Sequence, residues 1–271
     1  MSFEKSIFEK EGLKIDKNRV LTYSQLSCPL DCKYCFVDDM NLDQKKNVAY
    51  LSENQLKLLK ELPAEVSVVM IGCDTEFFQH KEKSLQILEK LSDLGKDISV
   101  ITKMSLSNDF IKKLESINSK LKDEENILAF SATIPCMDSA KEWEPKAPTP
   151  GKRIETMKNV FVVGIKTMVA IRPLLPTISD EELEKIIIST KDCCSGYYSG
   201  PLYLKNLESI NGNEVNGLKI EQLQPHWMPE GNVFYKIEKE GQMDLLKKLI
   251  EKNGKLFFEG AAEGIKHLKN L

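Results

Sequence analysis

What this 271-residue chain lacks narrows its class before any motif is considered. No apolar run approaches the roughly eighteen residues that a membrane-spanning helix needs. The stretch from Met1 to Lys17 is charged throughout and carries no signal-peptide pattern. The expectation is therefore a cytoplasmic protein without membrane attachment. There is no Walker loop, no dinucleotide fingerprint, no low-complexity tract and no repeat beyond an alternation of strands and helices. The net charge is only -3 and the sequence pI is near 5.8. This balance offers no global basic surface for nucleic acid, although a local basic groove fits within it. Lysine far outnumbers arginine, and most of that charge solvates helix faces. Seven cysteines, an odd number without a secretion signal, argue against a disulfide framework and for a reducing compartment.

What the chain does have is a large apolar fraction in a regular order. With 41% hydrophobic content it can bury one large core, and α/β barrels often run as single domains of about this size. Short apolar runs predict six strands: Val20 to Leu26, Val66 to Gly72, Ile98 to Thr102, Ile127 to Thr133, Lys166 to Arg172 and Tyr197 to Tyr203. Amphipathic segments between them carry helix signals. Ser52 with Gln55 and Ser179 with Glu182 read as capping boxes, Thr149-Pro150 as an N-cap and first turn, and Gly95 as a helix stop. Strands joined by helical crossovers run parallel, and in barrels of that kind reactive groups sit at the strands' C-terminal ends.

Immediately after the first predicted strand comes SCPLDCKYCF, in which Cys28, Cys32 and Cys35 are spaced C-x3-C-x2-C with Tyr34 before the last cysteine. Three thiolates can hold three irons of a 4Fe-4S cube and leave the fourth open to a small ligand. A zinc site completed by a distant His, or reduced thiols without metal, are the alternatives, but no second matched pair of ligands is present. The spacing and its aromatic residue resemble the signature of the radical S-adenosylmethionine (SAM) superfamily. That resemblance implies a partial (β/α)6 barrel of the TIM type, metal ligation by Cys28, Cys32 and Cys35, a 4Fe-4S cluster whose open iron binds SAM, and Tyr34 at the cofactor site.

A narrower resemblance covers about Val20 to Ile188. The runs ITKMSLSNDFIKKL, FSATIPCMDSAKEWEPKAPTPGKRIETM and AIRPLLPTISDEEL are similar to the spore photoproduct lyase-like branch of that superfamily, with its E-P-x-A-P…R segment at Glu144 to Pro148 and Arg153. Glu144 and Arg153 either serve substrate directly or pair to pin a proline-rich loop. The superfamily resemblance implies that a polar group after the second strand receives the SAM amino group, for which Thr75 and Glu76 are candidates. Lys103, Ser131 and Arg172 are the candidates for the SAM carboxylate and ribose, a guanidinium fork suiting a carboxylate. Cys73 closes the second strand. The branch includes a hydrogen-donating cysteine, so Cys73 is either the donor that quenches a substrate radical or a buried packing residue.

The last quarter reads differently. LKIEQLQPHWMPEGNVFY looks irregular, broken by Pro225, Pro229 and Gly231, and Met243 to Lys252 and Ala261 to Leu271 read as helices. His226, Trp227 and Met228 line a pocket or, more in keeping with an aromatic body, anchor the tail to the core. The domain expectation is a core over 1–204 and an α-rich extension over 205–271 that covers the barrel. The implied function is reductive SAM cleavage that starts hydrogen abstraction from a peptide or small metabolite, with electrons from a low-potential donor such as flavodoxin or ferredoxin. Nucleic-acid repair of the lyase type and a non-catalytic Fe-S binding protein are the alternatives.

Overall fold

The computed structural model describes residues 5–24, 26–40, 50–208, 210, 216–228 and 230–270. Met1, Gln25 in the first expected strand, Pro229 and Leu271 lie outside the described residues.

After helix α1 (Lys5–Lys10), strand β1 (Leu13–Asp16) pairs antiparallel with β2 (Arg19–Thr22). Strand and helix then alternate: α2 (Glu53–Lys60), β3 (Val68–Ile71), α3 (Lys81–Ser92), β4 (Asp97–Thr102), α4 (Asn108–Asp123) and β5 (Leu128–Thr133). The order continues with α5 (Ala140–Trp143), α6 (Pro150–Val162), β6 (Lys166–Ile171), α7 (Asp180–Thr190), β7 (Gly196–Ser199), β8 (Leu202–Leu204), β9 (Leu218–Leu223), β10 (Phe234–Lys239), α8 (Gln242–Lys252), β11 (Leu256–Phe258) and α9 (Ala261–Leu268). Strands β2 to β7 lie side by side in chain order and parallel, each after β2 reached by a helical crossover. This is the expected partial (β/α)6 barrel. β1 extends one edge and β11, parallel to β7, the other; among the described residues these two edges are not paired to each other.

The period-two alternation of the strands sends side chains to two apolar layers. Val69, Ile71, Ile98, Val100, Leu128, Phe130, Val169 and Ile171 face the helices of the outer layer. Met70, Ala129, Met168, Ala170 and Tyr198 face inward, where Ile265 and Leu268 of α9 meet them. A strand buried on both faces is thus apolar at nearly every position, which is why these runs stand out in the sequence. Helix α9 comes close to β6 only because residue 264 is glycine: a Cβ there would sit 2.4 Å from Met168 Sδ. Lys269 then pairs with Asp97 at 3.0 Å, at the N-terminal end of β4. The helix therefore fills the interior from the strands' N-terminal side and leaves the space at their C-terminal ends to the site.

Local expectations divide. The Ser52–Gln55 capping box closes reciprocally. Ser179 accepts from the Glu182 N–H at 3.1 Å, but the Glu182 carboxylate turns to the backbone N–H groups of Met137 and Asp138, so only half of the second box forms. Thr149 precedes Pro150 at the start of α6 without a side-chain bond. The expected strand Tyr197 to Tyr203 is two strands in two sheets. It breaks at Gly200-Pro201, where the Gly200 carbonyl accepts from Leu174 N–H at 2.8 Å and Pro201 has no N–H to continue the ladder. The stretch read as irregular contains β9 and the start of β10, paired antiparallel with Leu223 opposite Phe234. Of its breakers, Pro225 and Gly231 lie in the connection and not in the strands, and β8, β10 and β9 form a separate sheet.

Among the described residues no helix is long and apolar enough to cross a membrane.

Candidate active site

Each parallel strand delivers a polar or sulfur-bearing group to one cavity of about 1420 Å³, open mouth included. After β2 come Cys28, Cys32 and Cys35; after β3, Gly72 to Glu76; after β4, Lys103; after β6, Arg172. This is the C-terminal side of the sheet, where a barrel assembles its chemistry from several strands.

The cysteine loop is held by tight local geometry and by a buried polar network. Asp31 adopts φ 53°, and the Cys35 N–H donates to the Cys32 carbonyl at 2.9 Å, so the loop turns sharply between its second and third thiols. Lys33 N–H donates to the Trp143 carbonyl at 2.9 Å, and Tyr34 packs against the Trp143 ring. The Tyr34 hydroxyl donates to Glu144, whose other oxygen accepts from Arg153. Arg153, 1% exposed, also donates to the carbonyls of Thr133 at 2.7 Å and Pro148 at 2.9 Å. Of the two sequence readings of Glu144 and Arg153, the structure has the pinning one. Neither residue lines the cavity, and the pair fixes both the proline-rich loop and, through Tyr34, the cysteine loop.

All three cysteines are free, half-buried and turned to the cavity. Burial pushes the Cys32 thiol up, while the Lys103 ammonium opposes that shift. Lys103 itself would be depressed by burial, yet Cys32 and then Glu144 hold it above its ordinary value, and its ammonium lies 5.5 Å from the Tyr34 ring centroid. Among the described residues no three His, Cys, Asp or Glu side chains converge to hold one metal ion. A cube suits such a set, because its corner irons take separate thiolates and do not require the ligands to share one ion.

At the end of β3, Gly72 takes φ 87°, and a Cβ there would lie 2.4 Å from the Ile101 carbonyl oxygen. Only glycine allows this turn against β4. The Gly72 N–H donates to the Tyr50 hydroxyl at 2.6 Å, and buried Asp74 accepts from Ser24 Oγ at 3.0 Å. Cys73 lines the cavity. Burial, and after it the Asp74 charge, pushes its thiol up to about 12, so it remains protonated. Thr75 is buried at the cavity wall and accepts from Gln79 at 3.2 Å. Glu76 is committed elsewhere in part. Its carboxylate accepts from Thr102 Oγ1 at 2.6 Å, Lys103 N–H at 2.8 Å and Phe78 N–H at 3.1 Å, tying the ends of β3 and β4 together. Burial raises its pKa.

Ser131 is the one expected cofactor residue outside the cavity lining. Alternation along β5 puts it on the inner face one step below Thr133, which does line the cavity; Ser131 Oγ is buried beside Tyr198 and, among the described residues, has no partner at good hydrogen-bond geometry.

The far end of the cavity is aromatic. Tyr23, Phe36, Tyr198, Tyr203 and Trp227 line it with Arg19 and Arg172. Trp227 combines the two roles weighed for it: its carbonyl accepts from Tyr23 at 3.1 Å, anchoring the tail, and its ring lies 5.2 Å under the Arg172 guanidinium. His226 is exposed and Met228 is buried beneath. The inward position of Tyr198 was readable from the alternation of β7, whereas Arg19, Tyr23 and Tyr203 carry no local signal and are brought in by the fold.

The radical SAM superfamily model matches residues 23–188, more than half of the chain, from the cysteine loop that follows β2 through β3, β4, β5 and β6 to Arg172 and beyond. A protein of Methanocaldococcus jannaschii described as uncharacterised is 27% identical over 202 residues, covering 71% of this chain and 73% of its own. Among solved structures, spore photoproduct lyase complexed with dinucleoside spore photoproduct superposes with a TM-score of 0.60 at 13% identity, over 86% of this chain and 74% of that one. SuiB of Streptococcus suis bound to its precursor peptide SuiA gives 0.50 at 17% identity, over 72% of this chain but only 42% of SuiB. These likenesses show a shared fold, and the family match is carried on the residues that bring three cysteines to the C-terminal mouth of a parallel barrel: the chain belongs to the radical SAM superfamily and is a radical SAM enzyme.

Proposed function

We propose that this chain holds a 4Fe-4S cluster on Cys28, Cys32 and Cys35, cleaves SAM reductively, and starts hydrogen abstraction from a peptide or small metabolite. The observation that supports this most is the convergence of three free thiols on one pinned loop with Lys103, Thr75 and Cys73 around a single cavity. When bound and reduced, the cluster and SAM supply one-electron cleavage and hydrogen-atom transfer, and the protein's part is placement and exclusion of water.

On this reading Tyr34 keeps the loop in position through Glu144, and Lys103, turned to the cysteine end, meets the SAM carboxylate. Thr75 receives the amino group. Glu76 acts through Thr102 and the Lys103 backbone, which it holds at the cavity wall. Ser131 contributes from beneath Thr133, as part of the floor. Cys73, protonated and facing the cavity, suits return of a hydrogen atom to substrate better than nucleophilic attack, which needs a thiolate. Residues 1–204 form the core and 205–271 an extension that closes the interior. The enzyme works in the cytoplasm and takes electrons from a low-potential donor such as flavodoxin or ferredoxin.

A nucleic-acid repair activity is the second reading, supported by the fold likeness to the lyase complex; the net charge of -3 weighs against it. The test is anaerobic incubation of the reconstituted, reduced protein with SAM and cell extract, followed by mass spectrometry. Formation of 5'-deoxyadenosine with an accompanying product is the expected result. A stable cluster with no 5'-deoxyadenosine under any condition would instead identify a non-catalytic Fe-S protein.

A further inference from the structure

Four positive side chains lie in or beside the cavity, and they differ in what holds them. Lys103 stands at the cysteine end, over Tyr34. Arg153 is buried on Glu144 and two carbonyls. Arg19 is clamped by Asp16, its Nη2 at 2.6 Å and its Nε at 3.1 Å. Among the described residues Arg172 has no carboxylate or carbonyl partner; its guanidinium carbon lies over the Trp227 ring, 5.2 Å from the centroid. A guanidinium held over a ring and not by an acceptor keeps its N–H groups available to an anion. The surroundings are ring surfaces of Tyr23, Tyr198 and Tyr203, whose hydroxyls burial keeps neutral. A cation in such a setting is stabilised by a bound anion, because among the described residues no carboxylate is hydrogen-bonded to it already.

We propose that Arg172 anchors a carboxylate of the substrate, whose apolar or planar body lies against Tyr198, Tyr203 and Trp227, and that the substrate is accordingly an organic monoanion. The assignment rests on the reading that SAM occupies the cysteine end, with Lys103 and not Arg172 at its carboxylate. Charge selects the class. Asp74, buried at the end of β3 and lining the same cavity, adds a negative charge that disfavours a phosphate dianion, and a polynucleotide would need a row of cations where the described lining offers one unclamped guanidinium. The carboxylate belongs to a free acid or to a peptide side chain, and both present the same group to Arg172.

The test is anaerobic calorimetric titration of the reconstituted protein holding SAM. The probes are phenylacetate against phenylacetamide, phenyl phosphate, and a blocked peptide with one internal glutamate against its glutamine counterpart. At least one acid should bind about tenfold or more tightly than its amide, and the better of the two acids tells a free metabolite from a peptide. Arg172→Gln should remove the preference, and Arg172→Lys should keep part of it. No preference for either acid over its amide, including no binding at all, overturns the proposal, as does tighter binding of phenyl phosphate. Loss of SAM binding in Arg172→Gln with the acid preference intact also overturns it. The acid and amide pairs on the unaltered protein decide the matter even where a variant fails to fold. Iron content and 5'-deoxyadenosine measured on the same preparation separate the two readings. A preparation that cleaves SAM but ignores the carboxylate sinks the anion site alone, and acid preference in protein that takes up no iron upholds that site while counting against the cluster.

Discussion

Tyr34 joins the motif to the rest of the molecule: its ring packs between Lys103 and Trp143, and its hydroxyl ends on a carboxylate that is itself fully buried. Removing one partner of such a buried pair leaves the other charge unmet, at about 3–5 kcal/mol. Glu144→Ala should therefore lose about that much stability in chemical denaturation and release iron on dilution, while Tyr34→Phe, which strips a single hydrogen bond to a charged group, should lose about 2 kcal/mol. A Glu144→Ala protein as stable as the parent would mean that the network does not hold the loop. Cys73 poses a separate question at the same scale. If its thiol returns a hydrogen atom, Cys73→Ala should leave the cluster and 5'-deoxyadenosine formation intact and divert the substrate to another product; if it only fills space, stability falls by about 1 kcal/mol and the product stays the same.

Strand ends are the elements that build the site, and Gly72 is the tightest of them. Gly72→Ala introduces both a Cβ against the Ile101 carbonyl and a φ that alanine resists, so it should destabilise by more than about 1 kcal/mol and move Cys73 to Glu76 together. Iron content and SAM affinity measured on that variant check it, and unchanged values would show that the turn is not constrained by β4. The six parallel strands were legible because burial on both faces makes them continuously apolar, and the cysteine loop because its spacing is chemical and not conformational. Other features were not. β9 was hidden because it is mostly exposed and polar, and β10 because only Phe234 and Ile237 are buried among half-buried, mostly polar neighbours, so neither has the continuous apolar signal of a core strand. Glu182 and Glu76 look like a cap and a ligand in the sequence, but each carboxylate is taken by backbone N–H groups distant in the chain or folded back on it. Ser131 was placed by its nearness to a strand end, whereas depth along β5 decides that Thr133 reaches the cavity first. Arg19 and the tyrosine wall depend on which strands become neighbours, which no local pattern records.

The interior of the partial barrel is divided between α9 below and the cavity above, and burial shifts several of its thiols and phenols in one direction. Burial pushes the thiols of Cys73 and Cys136 and the Tyr198 hydroxyl up to about 12, and the Cys194 thiol up to about 11. The unfolded thiols titrate near 8.5 and the tyrosine near 10. Because the folded values lie above the unfolded ones, the unfolded state loses its protons first as pH rises. Stability is thus full below about pH 8.5 and declines progressively toward pH 12. The thermal midpoint of metal-free protein should drop through that range, and a flat profile between pH 8 and 11 would contradict the burial of these groups. Whether the three thiols at the barrel mouth hold a cluster is measured most directly by iron and sulfide per chain after anaerobic reconstitution, with the visible absorption spectrum. About four of each are expected, with broad thiolate-to-iron charge transfer, lost in Cys28→Ala, Cys32→Ala and Cys35→Ala alike but kept in Cys73→Ala. Tightly bound stoichiometric zinc without that absorption would contradict the cluster.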